Sequence, residues 1–472
     1  MKRVIVSLVF FLTSLNTLAE LPVTVSLALK KAGIPEQSVA IYVQGVGSDN
    51  AILSHNADKC MNPASVMKLL TTNAALDLLT PAYRWKTELY RDGEVVSDKL
   101  NNGVLHGNLI IKGYGDPSFK AQDFWRLLMS LQQTGIKDIK GDLIIDKSYF
   151  ASNLGEQHIF DDEKWRAYNA VPSAFLVNGR NTSFKFDSTE SGVNVSQEFE
   201  LNEIKIVNNL KLDHSSCGEW RSRIGYTVNS NGSGAVVTFN GSFAPDCGER
   251  YLELSVLDDE KYAFYTFKKL WKELGGNFDG QLKIKEKANN DVKILEQFSD
   301  PLGYVIRDIN KWSNNLMARQ LLLVLAAEKH GGPATEVKGA DVVKGWLADR
   351  GSKFDELIIE NGSGLSHTEC ISSEHLGKML VSTYNSPVMP EFIASLPILA
   401  LDGTIKKRLK ESQSNGRAHL KTGSLDGVSA IAGYVLGVNS QRQVLVMMVN
   451  HPKAAASTYA QDALIEWVHQ LH

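Results

Sequence analysis

The chain is short of cysteine, with four in 472 residues, and it contains no Cys-x-x-Cys or His-x-x-x-His spacing. That removes the usual grounds for a metal centre or a redox dithiol, and no metal and no cofactor are expected. Its net charge is small, −3, so nothing in its electrostatics points to a nucleic-acid partner. No Gly-x-Ser-x-Gly elbow occurs, which argues against an α/β-hydrolase esterase. After the opening residues no apolar run reaches the ~20 residues needed to span a bilayer. Hydrophobic residues at 43% and charged residues at 22% exclude wholesale disorder. At ~100–200 residues per domain, this length calls for about three domains.

What is present begins with a targeting pattern. Met1-Lys2-Arg3, apolar residues 4–12 and Thr17-Leu18-Ala19 supply the three parts of a secretory signal. Cleavage is expected after Ala19, and with no cysteine nearby a lipid anchor is not. In an exported chain the four cysteines read as disulfides. Three pairings are open to them. Cys217 and Cys247 share the contexts Cys217-Gly218-Glu219 and Cys247-Gly248-Glu249 and are the favoured pair, leaving Cys60 and Cys370 to pair or stay free.

The stretch Asn62-Pro63-Ala64-Ser65-Val66-Met67-Lys68 carries the first chemical signal. Residues three apart share a helix face, and Asn62-Pro63 favours a helix start, so Ser65 belongs in the first turn with Lys68 beside it. Unpaired N–H groups there favour an alkoxide or oxyanion. The mostly apolar run 66–79 would desolvate Lys68 and lower its pKa towards that of a base. A serine beside such an amine can act as a nucleophile. The alternative is a capped amphipathic helix with an incidental lysine.

Periodicity predicts a helix over 23–32, a hairpin of strands over 38–44 and 51–54, and the Ser65 helix ending near Thr80-Pro81. From about 85 to about 287 the chain turns to short β-rich runs. Gly107-Asn108-Leu109-Ile110-Ile111 is echoed by Gly141-Asp142-Leu143-Ile144-Ile145, with a helix over 123–134 between them; 193–284 alternates strands and Asn/Gly turns, with a helix over 262–274. Helical patterns return over 301–329, 340–350 and 373–385. Buried strands over 425–436 and 443–450 and a terminal helix over 459–471 close the chain. The expected division is a signal at 1–19, a catalytic domain from 20–84 and 288–472, an inserted domain from 85–105 and 187–287, and a nested one at 106–186. Ser313-Asn314-Asn315 is expected to open a helix, and Lys421-Thr422-Gly423-Ser424 to begin a strand running on through Asp426-Gly427-Val428.

Ser-x-x-Lys at Ser65, Ser-x-Asn at Ser313 and Lys-Thr-Gly at Lys421 stand in the order found in the penicillin-recognising serine enzymes, which this chain resembles. The long gap between the first two, with Gly113-Tyr114-Gly115-Asp116-Pro117 and Gly362-Ser363-Gly364-Leu365-Ser366, narrows the resemblance. It is to the class C penicillin-binding proteins, the D-alanyl-D-alanine carboxypeptidase/endopeptidases of the penicillin-binding protein 4 type. The resemblance implies an α/β (α+β) fold: a serine β-lactamase/DD-transpeptidase-like domain, an antiparallel sheet with flanking helices, carrying two β-rich insertions. It also implies a periplasmic enzyme acting on peptidoglycan stem peptides and acylated by β-lactams. Ser65 would be the nucleophile and Lys68 its base. Ser313 would relay a proton, Asn315 would hold Lys68 and the substrate amide, and Lys421, as a fixed cation, would bind the substrate carboxylate with Thr422. The N–H groups of Ser65 and Ser424, beside Gly423, would form the oxyanion hole. Taken singly, Ser313 could be a helix cap and Lys421-Thr422-Gly423 an ordinary strand opening.

In such enzymes a pocket receives the carboxylate of diaminopimelate, and here the chain departs from the pattern. His367 stands where an arginine is common and Asp426 where a glutamine is, and both changes remove carboxylate donors. Asp426 adds repulsion unless His367 is protonated. Glu163 and Tyr168 align loosely with acidic and aromatic contacts to the diaminopimelate amine, or are surface residues. A β-lactamase is the nearest enzymatic alternative and would need a deacylating base. A wall-binding protein that has lost catalysis is the non-enzymatic one. Oligomeric state leaves no mark in the sequence.

Overall fold

The structure, a computed structural model, describes residues 20–471 except 98–102, 155–159, 162, 191, 214 and 232. The expected signal at 1–19 lies outside the described residues. An antiparallel sheet runs in the order Ala51–His55, Val39–Gly45, Arg442–Asn450, Val428–Leu436, Ala418–Leu425. Its first two strands and last three come from opposite ends of the chain. They meet along the register Val39↔Val449 to Gly45↔Gln443.

Alternation along these strands sorts their side chains into two cores. Val39, Ile41 and Val43, with Met447 and Val449, pack under the helices Val23–Ala32 and Thr458–His469. Ala40 and Tyr42, with Val446 and Met448, face the opposite side. There the helices Lys68–Leu79, Asn315–His330 and Ser373–Tyr384 cover them. With both faces covered the strands read as continuous apolar runs. Each fully buried Val, Leu or Ile contributes roughly 1.5–3 kcal/mol, so the sheet is a stiff base for whatever its edge carries.

A third core, including Phe124, Phe184, Phe239 and Phe267, is built wholly from residues between Leu89 and Leu295. Its strand pairing runs across the division expected from sequence. Lys86–Arg91 lies between Leu109–Gly113 and Val292–Phe298. Leu109–Gly113 pairs in parallel with Leu143–Asp146, and the helix Ala121–Gln133 crosses between them. Gly103–His106 likewise joins Glu94–Ser97 to Ile136–Ile139. Strands on either side of position 105 therefore share sheets, and Val292–Phe298 closes a sheet of the insertion although it was expected beyond 287. Residues 182–254 carry two three-stranded sheets of their own. The repeated Gly-x-Leu-Ile-Ile strands look self-contained in sequence, but a parallel pair needs neighbours on both edges, and here residues before and after it supply them.

Three local readings are corrected. The helix expected over 301–329 is two, Leu302–Lys311 and Asn315–His330, broken at Ser313, whose φ is 59°. Ser313 is not the cap: the Asn314 side chain accepts from Met317 N–H at 3.0 Å. Lys421 to Ser424 lie inside the edge strand Ala418–Leu425, and Asp426-Gly427 is the two-residue turn of a hairpin closed by Leu425↔Val428. Asp-Gly is a strong hairpin signal because both residues tolerate positive φ.

Both disulfides form, Cys217–Cys247 and Cys60–Cys370, the latter across a sequence separation of 310. Cys60 lies in the ladder Met61↔Ile371, Cys60↔Ser372, just before Asn62. Replacing Cys60 and Cys370 by serine is expected to cost roughly 2–5 kcal/mol. A lower thermal midpoint and faster limited proteolysis within 356–372 would register it.

Candidate active site

Ser65 lies in a 3-10 turn, Ala64–Met67, that runs into the α-helix Lys68–Leu79, so the first turn is tighter than expected. Ala64 takes φ 46°. Asn62 holds this entry. Its side-chain carbonyl accepts from Ala64 N–H at 2.8 Å, and its amide donates to the Ser366 carbonyl at 2.9 Å. The Asn450 side chain in turn takes the Asn62 N–H and donates to its carbonyl, tying the turn to the central sheet.

Lys68 has no exposed surface. Its Nζ stands 2.9 Å from Ser65 Oγ and donates to Asn315 Oδ1 at 2.6 Å and to the Ser363 carbonyl. Burial pushes its pKa well below the usual lysine range, the nearby Lys421 ammonium pushes it the same way, and Glu369 opposes both. Lys421 is equally buried. It donates to Ser313 Oγ at 2.8 Å and to the Thr422 carbonyl at 2.7 Å, and burial brings its pKa down to about 7.

The edge strand lies against the Ser65 turn with little room to spare. A Cβ on Gly423 would sit 2.5 Å from the Pro63 carbonyl oxygen and 3.0 Å from Ser65 N; one on Gly364, whose φ is 79°, would sit 1.8 Å from the Ala64 carbonyl oxygen. Thr422 Oγ1 is 2.9 Å from Thr404 Oγ1. Ser424 is exposed beyond them, and Asp426 is exposed on the hairpin turn. Ser65, Lys68, Ser313, Asn315, Lys421, Thr422 and Gly423 thus come together from three distant segments.

His367, Tyr168 and Glu163 each have a neighbour in the insertion. His367 is stacked on Phe160, ring centroids 4.3 Å apart, so Phe160 of the insertion lies beside the end of the 362–367 loop. Tyr168 is held by Asp161, to which its hydroxyl donates at 2.8 Å, and Glu163 accepts from the Tyr226 hydroxyl at 3.0 Å. Both are therefore engaged by neighbours within the insertion.

Sequence reasoning passed over Glu369 and Asn62. Glu369 is fully buried; one oxygen accepts the N–H groups of Glu360, Asn361 and Gly362, fixing the loop whose Ser363 carbonyl meets Lys68. Burial raises its pKa. No local motif marks it. Asn62 had a readable cue, an Asx turn before Pro63, since Asn side chains bond the backbone two residues on.

The sequence model described as the D-Ala-D-Ala carboxypeptidase 3 (S13) family matches residues 22–471. The chain belongs to this family of serine-type D-Ala-D-Ala carboxypeptidases. It is 26% identical over 426 residues to the D-alanyl-D-alanine carboxypeptidase DacB of Haemophilus influenzae, covering 88% of this chain and 86% of that one. The crystal structure of penicillin binding protein 4 from Haemophilus influenzae superposes with TM-score 0.79 at 23% identity, over 95% of this chain and 100% of that one. The same protein complexed with a β-lactam gives 0.74 at 22% identity, with the same coverage. These likenesses agree with the expected β-lactamase/DD-peptidase-like α/β fold.

The buried Lys421 yields a pH-dependent prediction. A lysine whose folded pKa is near 7 and whose unfolded pKa is ~10.4 destabilises the fold fully below pH 7, and the penalty fades as pH rises towards 10, because only the unfolded chain still binds the proton in that window. Lys421→Met is expected to raise the thermal midpoint most at pH 6–7, with the difference from wild type shrinking by pH 10. An equal difference at every pH would defeat this.

Proposed function

We propose that the chain is a serine DD-peptidase of the peptidoglycan, acting in the periplasm through an acyl-enzyme on Ser65. The observation that carries the reading is the surroundings of the Lys68 amine. A neutral amine has two N–H bonds and one lone pair. Asn315 Oδ1 and the Ser363 carbonyl can only accept, so they take the two N–H bonds, and the lone pair is left facing Ser65 Oγ. Burial beside a second amine favours that neutral form.

In this mechanism Lys68 takes the hydroxyl proton as Ser65 attacks the carbonyl of the penultimate D-alanine. The N–H groups of Ser65 and Ser424 receive the oxyanion, each such donor typically contributing ~2.7–4 kcal/mol. Ser313, bonded to Lys421, relays that proton from Lys68 to the departing amine, so that Lys68 is neutral again when the acyl-enzyme has formed. The terminal carboxylate binds Lys421 and Thr422, and its charge draws Lys421 back to the protonated state. Water then releases the acyl product and restores Ser65. Carboxypeptidase and endopeptidase action share this acyl-enzyme and differ only in the amine that leaves. A β-lactam would acylate Ser65 the same way, a reading supported by the β-lactam complex of the Haemophilus influenzae relative.

At the side-chain pocket, Asp426 on its exposed turn and His367 stacked on Phe160 offer a diaminopimelate carboxylate little fixed positive charge. Glu163 and Tyr168 are assigned to its amine end.

Fluorescent penicillin is expected to label the wild type and not Ser65→Ala, and Lys68→Ala is expected to slow acylation by about 10²–10⁴-fold, the range of a lost general base. Undiminished labelling of Ser65→Ala would sink the assignment. Stem peptides with and without the diaminopimelate side-chain carboxylate should be hydrolysed with weak, or pH-sensitive, preference. A strong preference for the carboxylate, constant from pH 6 to 8, would count against the pocket as described.

A further inference from the structure

Two cavities of about 660 and 740 Å³ lie where the insertion meets the helix Leu302–Lys311. They share Ser118, Phe119, Lys120, Gln122 and Asp308 in their walls, which makes them one groove. One end is bounded by Thr87 and Phe298, and the other by Trp312 and Asn314, the two neighbours of Ser313. One end of the groove therefore reaches the two residues that flank Ser313 in the chain.

Its walls are unusual for this protein. Tyr304 is 70% exposed, Trp312 59%, Phe298 49% and Trp125 40%. Among the described residues the other large aromatic side chains standing this exposed are Tyr251 and Tyr459, so most of the water-facing aromatic surface is gathered here. Between the rings the lining is polar and of both signs: Asp116, Asp123, Asp300 and Asp308 against Lys120, Arg126 and Arg307.

We propose that this groove binds the glycan strand of peptidoglycan, a chain of uncharged N-acetylated hexosamines, and so holds the polymer while its stem peptide reaches Ser65. Aromatic faces left in water mark a binding surface, and the apolar face of a pyranose ring is flat enough to stack on Tyr304, Trp125 or Trp312. The carboxylates and Gln122 accept from or donate to hydroxyl and acetamido groups. Slight excess acidity disfavours a polyanion such as nucleic acid, while the alternation of rings and charges gives no continuous apolar patch for a protein partner. The inference rests on the peptidoglycan reading above, because only a peptide carried on a polymer needs a second hold beside the catalytic serine.

The test uses two probes, the tetramer of β-1,4-linked N-acetylglucosamine and peptide-free glycan strands whose lactyl carboxyls are capped as amides to keep them uncharged, titrated against the whole protein by tryptophan fluorescence and calorimetry. Wild type should bind both, the strands more tightly. The Tyr304→Ala, Trp125→Ala double variant should bind strands about tenfold or more weakly, as expected for loss of aromatic anchors. Its digestion of intact sacculi should fall in step, while penicillin labelling and D-alanine release from a short soluble peptide stay at wild-type rates. Tyr304→Phe should keep binding. If the double variant fails to label with penicillin, Tyr304→Ala alone carries the test. No strand binding by a wild type that labels with penicillin would overturn the proposal, as would wild-type affinity in the variant. A dimer abolished by the variant, without strand binding, would overturn it in favour of a second copy on this face. Failure of wild type to label would instead strike at the peptidase reading itself.

Discussion

Two lysine amines removed from water within one site are the constraint on which the rest of the structure depends. Taking an ammonium out of water costs several kcal/mol even after the protein relaxes, and no carboxylate is hydrogen-bonded to either amine among the contacts of Lys68 and Lys421. The site answers by letting the charge go: burial lowers both pKa values, and Lys421 lowers that of Lys68 further. What would be a defect in a structural core leaves the Lys68 amine neutral enough for the role proposed for it, accepting a proton from serine. The packed faces of the central sheet supply the stability against which that cost is set.

Positioning is done mainly by backbone. The edge strand approaches the Ser65 turn so closely that Gly423 has no space for a side chain, and Gly364 presses on Ala64 from the other side. Ala64 and Ser313 both sit at positive φ, a conformation that non-glycine residues hold only when their surroundings over-determine it. Asn310 helps to do so, donating to Thr72 Oγ1 and Ser395 Oγ, and Lys311 is fixed by Asp402 at 2.6 Å. Ser313 is thus held by the end of one helix and the cap of the next.

How much of this could be read in the chain follows from how local each feature is. Ser65 and Lys68 are three residues apart, so helical geometry alone put their groups on one face. The helix Val23–Ala32 and the hairpin after it were legible for the same reason. The break at Ser313 was not, because a positive φ on serine has no local signature, and the groups that anchor the neighbouring Asn310, namely Thr72 and Ser395, lie far off in sequence. The Asp426-Gly427 turn carried an explicit local signal, but the apolar residues on both sides masked it as one long strand. The sheet partners of the insertion were hidden because strands far apart in the chain, whether parallel as Leu109–Gly113 with Leu143–Asp146 or antiparallel as Lys86–Arg91 with Val292–Phe298, leave no local trace of their register in sequence.

Glu369 shows why such long-range terms matter to chemistry. Burial and the second amine both push the Lys68 pKa down. A carboxylate placed in direct contact would do the reverse and fix the ammonium. Glu369 acts between these limits: its charge raises the Lys68 pKa, yet its hydrogen bonds go to the N–H groups of Glu360, Asn361 and Gly362 and not to the amine. The same three bonds shape the loop that presents the Ser363 carbonyl to Lys68 and seats Gly364 against Ala64. One buried side chain therefore bears both on the charge of the Lys68 amine and on the loop packed against the Ser65 turn, and a change there would alter the two together.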